Sequence, residues 1–164
     1  MKGDTVAAPG WRPVSEEQVT LAEIMTHAGY RTGLVTDVYH QMKPSMNFHR
    51  GFSQFNWIRS QEGDKYRSSR LISPESVEPF LHPSYPPDAI AYRRTRLKQY
   101  LASISDRRSE EDFFAPQVFR EGMRFVEDNY PEDFFFVIDC FDPHEPWDPP
   151  AQYIELYDPG DGAP

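Results

Sequence analysis

Apolar residues cluster in two stretches of this chain, and each stretch has its own period. The sharper one is Phe134-Phe-Phe-Val-Ile138. An unbroken apolar run of that length predicts a strand covered on both faces, as in a parallel sheet. It opens into a proline-bracketed loop that carries Asp142, His144, Glu145 and Asp148. Open α/β sheets bind ligands where buried strands deliver polar side chains at their C-terminal ends. Ahead of the run, Ala115, Val118, Phe119, Gly122, Met123 and Val126 recur at helical spacing, which predicts a helix burying that face. Pro116 fits it only within the first turn.

The second stretch runs from Val19 to Phe55. Thr20-Leu-Ala-Glu23 has the form of a capping box, with hydroxyl and carboxylate satisfying free amides at a helix start. Leu21, Ile24, Met25 and Ala28 then make one apolar stripe, and Gly29 stands where a left-handed residue ends a helix. Tyr30 to Thr36 reads as a strand. A helix joined tightly to a strand is the building unit of a parallel sheet, so an α/β fold is expected. Between the two stretches, Ser73-Pro74, Glu78-Pro79, His82-Pro83 and Tyr85-Pro86-Pro87 mark an irregular passage. Asp88 then caps a helix to Ile104, with Arg93, Leu97, Tyr100, Leu101 and Ile104 near one face.

Composition narrows the picture. The 164 residues suffice for one domain with a core, while 16 prolines and a mean hydropathy of −0.70 imply long loops. A 15% aromatic content argues against disorder. The net charge of −9 disfavours nucleic acid and anionic membranes as general partners, but not a small anion held by a local field. Cys140 is the sole cysteine, so it forms no internal disulfide and no Cys-based zinc site, and it reads as a buried, inert thiol. No apolar run reaches the roughly 18 residues of a membrane span, and Met1-Lys-Gly-Asp-Thr5 lacks the apolar segment of a secretion signal. Arg93, Arg94, Arg96 and Lys98 read as a solvated helix face, and His49 and His82 as structural or exposed residues.

Both stretches resemble the sulfatase family of the alkaline-phosphatase superfamily. Its Thr-Leu-Ala-Glu-x-Leu helix, Ala-Gly-Tyr-x-Thr turn and Gly-Phe-Asp-x-Phe element are similar to Thr20–Met25, Ala28–Thr32 and Gly51–Phe55, with Ser53 in the Asp place. Its Asp-Pro-His-x-Pro-Trp is matched by Asp142-Pro-His-Glu-Pro-Trp147, and Tyr153–Pro159 continues the likeness. The resemblance implies a mixed, mainly parallel sheet flanked by helices. Residues 1–164 would be a single partial catalytic domain, cut after the nucleophile motif of the first strand and before the C-terminal part.

In chemistry, the resemblance implies metal-dependent hydrolysis of a sulfate ester on a small molecule or glycan. His144 would be the catalytic residue, donating a proton to the leaving oxygen, a role worth about 10²–10⁴-fold. Trp147 would wall the substrate pocket, though a core-packing Trp fits the sequence equally well. Sulfatases place Gly-Lys-Trp-His after the earlier strand, where this chain has Thr36-Asp37-Val38-Tyr39-His40. Asp37 falls in the Lys place, and His40 takes the substrate-binding His role with a one-residue shift. A carboxylate there repels an anion unless Asp37 turns away or caps the following segment, and Lys43 is a candidate replacement cation. The family's formylglycine nucleophile, made from Cys/Ser-x-Pro-x-Arg, and its paired-Asp calcium ligands have no counterpart in these residues. Two other readings stay open: a phosphodiesterase or phosphonate monoester hydrolase of the same superfamily, and a non-catalytic anion-binding module.

Overall fold

The computed structural model describes residues 12–157 apart from Glu62, His82, Pro83 and Glu145. The reading of His82, the Glu145 position of the loop motif and the last two residues of Tyr153–Pro159 therefore lie outside the described residues. The ordered elements are α1 (Leu21–His27), β1 (Arg31–Thr36), α2 (Tyr39–Met42), β2 (Gln54–Trp57), α3 (Pro87–Ser103), α4 (Phe114–Asn129), β3 (Phe134–Asp139) and α5 (Ala151–Tyr157), with short 3₁₀ turns between. The three strands form an open, wholly parallel sheet in the order β2-β1-β3. The coarse α/β expectation holds.

β1 is the centre of the molecule. Every residue from Thr32 to Asp37 is buried, because strands flank it on both edges and helices cover both faces. Alternation along the strand separates those faces. Thr32 meets α1 through a 2.8 Å hydroxyl contact with Thr26, whereas Gly33 lies against Phe125 of α4. A methyl on Gly33 would sit 2.2 Å from the Phe125 ring, so helix and strand approach as closely as they do only because that position is glycine. Phe125 in turn stacks on Phe136 of β3 at 4.2 Å and meets Phe134 edge-on at 5.8 Å, geometries that favour aromatic pairs.

The capping box at Thr20 forms as expected, with Glu23 N–H donating to the Thr20 hydroxyl at 3.1 Å and Thr20 N–H to the Glu23 carboxylate at 2.7 Å. Arg50 binds the same carboxylate at 3.1 Å. Together these contacts hold Glu23 well below the usual carboxylate range, at about 2, with the Arg50 hydrogen bond the largest cause. Gly29 ends the helix at φ +91°. Gly51, at φ +86°, lets the backbone lie against the α1 start, where a Cβ would come within 2.2 Å of Glu23 N.

Four expectations need correction. The α1 stripe is rotated: Leu21 and Ile24 are exposed and Ala22 is the buried residue, because the helix touches the sheet through its small and hydroxyl side chains. The α4 face is also turned, burying Phe114, Val118, Gly122, Phe125 and Asn129 while Phe119, Met123 and Val126 stay exposed. β3 is covered on one edge only, so Phe134 and Ile138 remain 37% and 39% exposed and the strand is half-buried. Finally, Asp88 lies inside the first turn of α3, whose N-cap is Pro86. Pro116 does fall in the first turn of α4, and the basic residues of α3 are solvated as expected, Arg94 pairing with Glu78 at 2.9 Å.

Candidate functional site

Parallel pairing in register brings the ends of β1 and β3 to one level, with Thr36 opposite Asp139. The segments carrying His40 and His144 therefore leave the sheet at the same end, the C-terminal end of its strands. The Thr36 hydroxyl donates to the Asp139 carboxylate at 3.1 Å and accepts from Val38 N–H at 3.0 Å, turning the chain out of β1 and into α2.

Asp37 is fully buried between the two strand ends. Its carboxylate accepts from Phe141 N–H at 2.7 Å, and the Cys140 thiol lies 3.9 Å from its other oxygen. The side chain thus turns toward the β3 loop and is spent on a backbone amide there. It does not cap α2, whose N-cap Val38 has no side-chain bond. Burial pushes the Asp37 carboxyl up to about 6; Phe141 N–H opposes this, and the neighbouring charges of Asp142 and Asp139 add to it. Partial burial and the Asp37 charge likewise push the Cys140 thiol up to about 11, which suppresses thiolate, although the thiol is half-buried and not buried as expected.

His144 sits on the exposed loop after β3. Its ring stacks on Phe141 at 4.3 Å, and its backbone N–H donates to the Phe141 carbonyl at 3.1 Å. Trp147 is 80% exposed, with its indole N–H on the Pro143 carbonyl at 3.1 Å, so the core-packing alternative is overturned. The Asp142–Pro143 peptide is cis. His40 is half-buried in α2 and meets the edge of Tyr39 at 5.8 Å, while the Lys43 ammonium lies 5.9 Å from the Tyr39 ring centre. Tyr39 stacks on Trp57 at the end of β2, and the Arg59 guanidinium lies 4.3 Å from the Trp57 ring centre while forking onto buried Asp64 at 2.5 and 2.7 Å. β2 and this aromatic–arginine corner were not foreseen, although Phe55-Asn-Trp57 alternates as a strand does.

The loop is anchored to the corner between α3 and α4, a feature sequence reasoning missed. Asp148 accepts from Arg107 at 2.9 Å and from the Tyr100 hydroxyl at 2.8 Å. Partial burial raises the pKa of the nearby Asp142 carboxyl, and the Arg107 charge pulls it back. His49, by contrast, is exposed and stacks on Phe55, away from this end.

Among the described residues no three His, Cys, Asp or Glu side chains are placed to share a metal ion. Calcium takes about six to eight oxygens, and the Asp37 and Asp139 carboxylates already bond to Phe141 N–H and Thr36. The calcium implied by the resemblance does not fit these residues alone. Two open clefts, about 250 and 340 Å³, flank α4, and neither is lined by Asp37, His40, His144 or Trp147. The chain matches no family model, no curated protein and no solved structure.

Proposed function

We propose that this chain is a central piece of a sulfatase-like hydrolase domain, and that its parent hydrolyses sulfate esters of small molecules or glycans. The observation that carries the reading is the paired ending of β1 and β3, which sends the His40 and His144 segments off the C-terminal end of the sheet. The C-terminal ends of the strands are the usual place for a ligand in a parallel sheet. In this reading His144 gives its proton to the leaving oxygen as the sulfur–oxygen bond breaks, so that an alcohol departs in place of an alkoxide. His40 faces the sulfate oxygens. Asp37 supports the loop and leaves the anion alone, since its carboxylate is turned into the protein. Nucleophile and metal ligands come from other parts of the parent. The finer fold, an alkaline-phosphatase-like sheet, belongs to the same proposal.

The test is to read the coding DNA on both sides of this frame and to express the continuous polypeptide. Paired Asp residues and a Cys/Ser-x-Pro-x-Arg upstream, with turnover of 4-nitrophenyl sulfate, are the expected result. A stop and a start that bound these 164 residues, or a parent inert toward sulfate esters, overturns it.

A further inference from the structure

The segment after β3 is tied down at two places, at Asp37 beyond the end of β1 and at the corner formed by the end of α3 and the α3–α4 connection. At its start, Phe141 N–H donates to the Asp37 carboxylate at 2.7 Å. Asp148 takes both Arg107 and the Tyr100 hydroxyl. Past the loop, Gln152 and Tyr153 of α5 bond Glu110 at 2.7 and 2.6 Å. His144 lies between the first two anchors.

Arg107 is the centre of this arrangement. Its side chain is only 13% exposed, and its guanidinium lies 4.1 Å from the Phe113 ring centre and 4.9 Å from that of Phe114. A planar, delocalised cation suits such a position, because it can stack on rings and donate to a carboxylate in one geometry. Its Nε–H is buried with no hydrogen-bond partner among the described residues. The aromatic faces, Asp148 and the Tyr100 hydroxyl, 3.3 Å from Nη1, therefore hold it. Removing the Asp148 charge leaves the largely buried Arg107 cation without its carboxylate, whereas Asp148 is itself partly exposed to solvent.

We propose that Arg107 is a positioning residue: through Asp148 it latches the loop to the α3–α4 corner and sets where the His144 ring stands. The catalytic meaning of that placement rests on the sulfatase-like reading; the latch itself does not. It acts through the loop and touches no substrate. The stack of His144 on Phe141 is the reporter, because a neighbouring aromatic ring shifts the imidazole proton resonances.

The test compares the full chain with Arg107→Met, Arg107→Lys and Asp148→Asn by amide hydrogen exchange and proton NMR. In Arg107→Met and Asp148→Asn, exchange across residues 141–148 should rise by about tenfold or more while β1 amides stay protected. The His144 ring-current shift should collapse in both, and the double variant should add nothing further. Arg107→Lys should restore protection only in part. If Arg107→Met fails to fold, Asp148→Asn still decides, since it leaves Arg107 stacked on Phe113. Unchanged loop exchange and an unchanged His144 shift in Asp148→Asn would overturn the latch. In the continuous parent, Arg107→Met should lower kcat with KM little changed. A confirmed latch in a parent inert to sulfate esters would sink the functional reading and leave the latch standing.

Discussion

Asp37 sets a sign that can be measured. Its carboxyl is raised from 3.8 to about 6 in the folded chain, chiefly by burial. The unfolded chain therefore loses this proton first as pH rises. Stability tied to the neutral form is complete below about 3.8, declines through about 6 and is then gone, a loss of about 3 kcal/mol at 1.36 kcal/mol per unit. Asp37→Asn keeps an oxygen for Phe141 N–H and removes the titration. Urea unfolding at pH 4 should find the variant equal to the wild type, and at pH 7 more stable by up to about 3 kcal/mol. A variant less stable at pH 7 would mean that the charge is compensated after all. His144→Ala predicts the reverse division of effects. In the parent, sulfate-ester turnover should fall by about 10²–10⁴-fold, while stability moves by less than about 0.5 kcal/mol, because the side chain is exposed. What was legible at this scale was chemical type and strand-end position. Where Asp37 points was not, because its partner Phe141 is 104 residues away in sequence and no local pattern encodes it.

Elements read from the chain with uneven success, and the reasons are physical. Local rules found the α1 start, since a capping box involves residues three apart, and they found β1, β3, α3 and α4 from period and length. They failed on which face of α1 and α4 is buried, because hydrophobicity alone does not see the sheet that each helix must meet. Ala22 and Thr26 pack where Leu21 and Ile24 were expected, and small residues gave a closer fit to β1. The same economy of space governs α4. Gly33→Ala would drive a methyl to 2.2 Å from a ring already stacked on Phe136, and should cost about 1–3 kcal/mol or more in denaturant unfolding. Gly122→Ala meets only the flexible tip of Ile138, at 2.8 Å, and should cost less. Equal costs would show that α4 can lift off β1 freely.

Over the whole molecule, the sheet of the described residues ends at β3, while the sequence of that strand has the apolar character of an interior one. Its outer edge and the exposed Phe119, Met123 and Val126 of α4 form a continuous apolar margin. Unpaired apolar edges favour association between chains. Met123→Glu should therefore reduce concentration-dependent light scattering of the 164-residue chain while changing stability by no more than about 0.5 kcal/mol. Scattering unaffected by the added charge would place the sticky surface elsewhere.

The tie between Asp148 and Arg107, whose guanidinium lies 4.9 Å from the Phe114 ring centre at the head of α4, has a consequence for how a distant change would travel. β3 leads into the loop, the loop is fastened to the head of α4, α4 lies across Gly33, and β1 returns through Asp37 to Phe141. These parts make a closed ring of rigid members, and in such a ring no side can shift alone. Widening the joint at Gly33 by one methyl would be felt at the opposite corner, as a tilt of the imidazole that stands there.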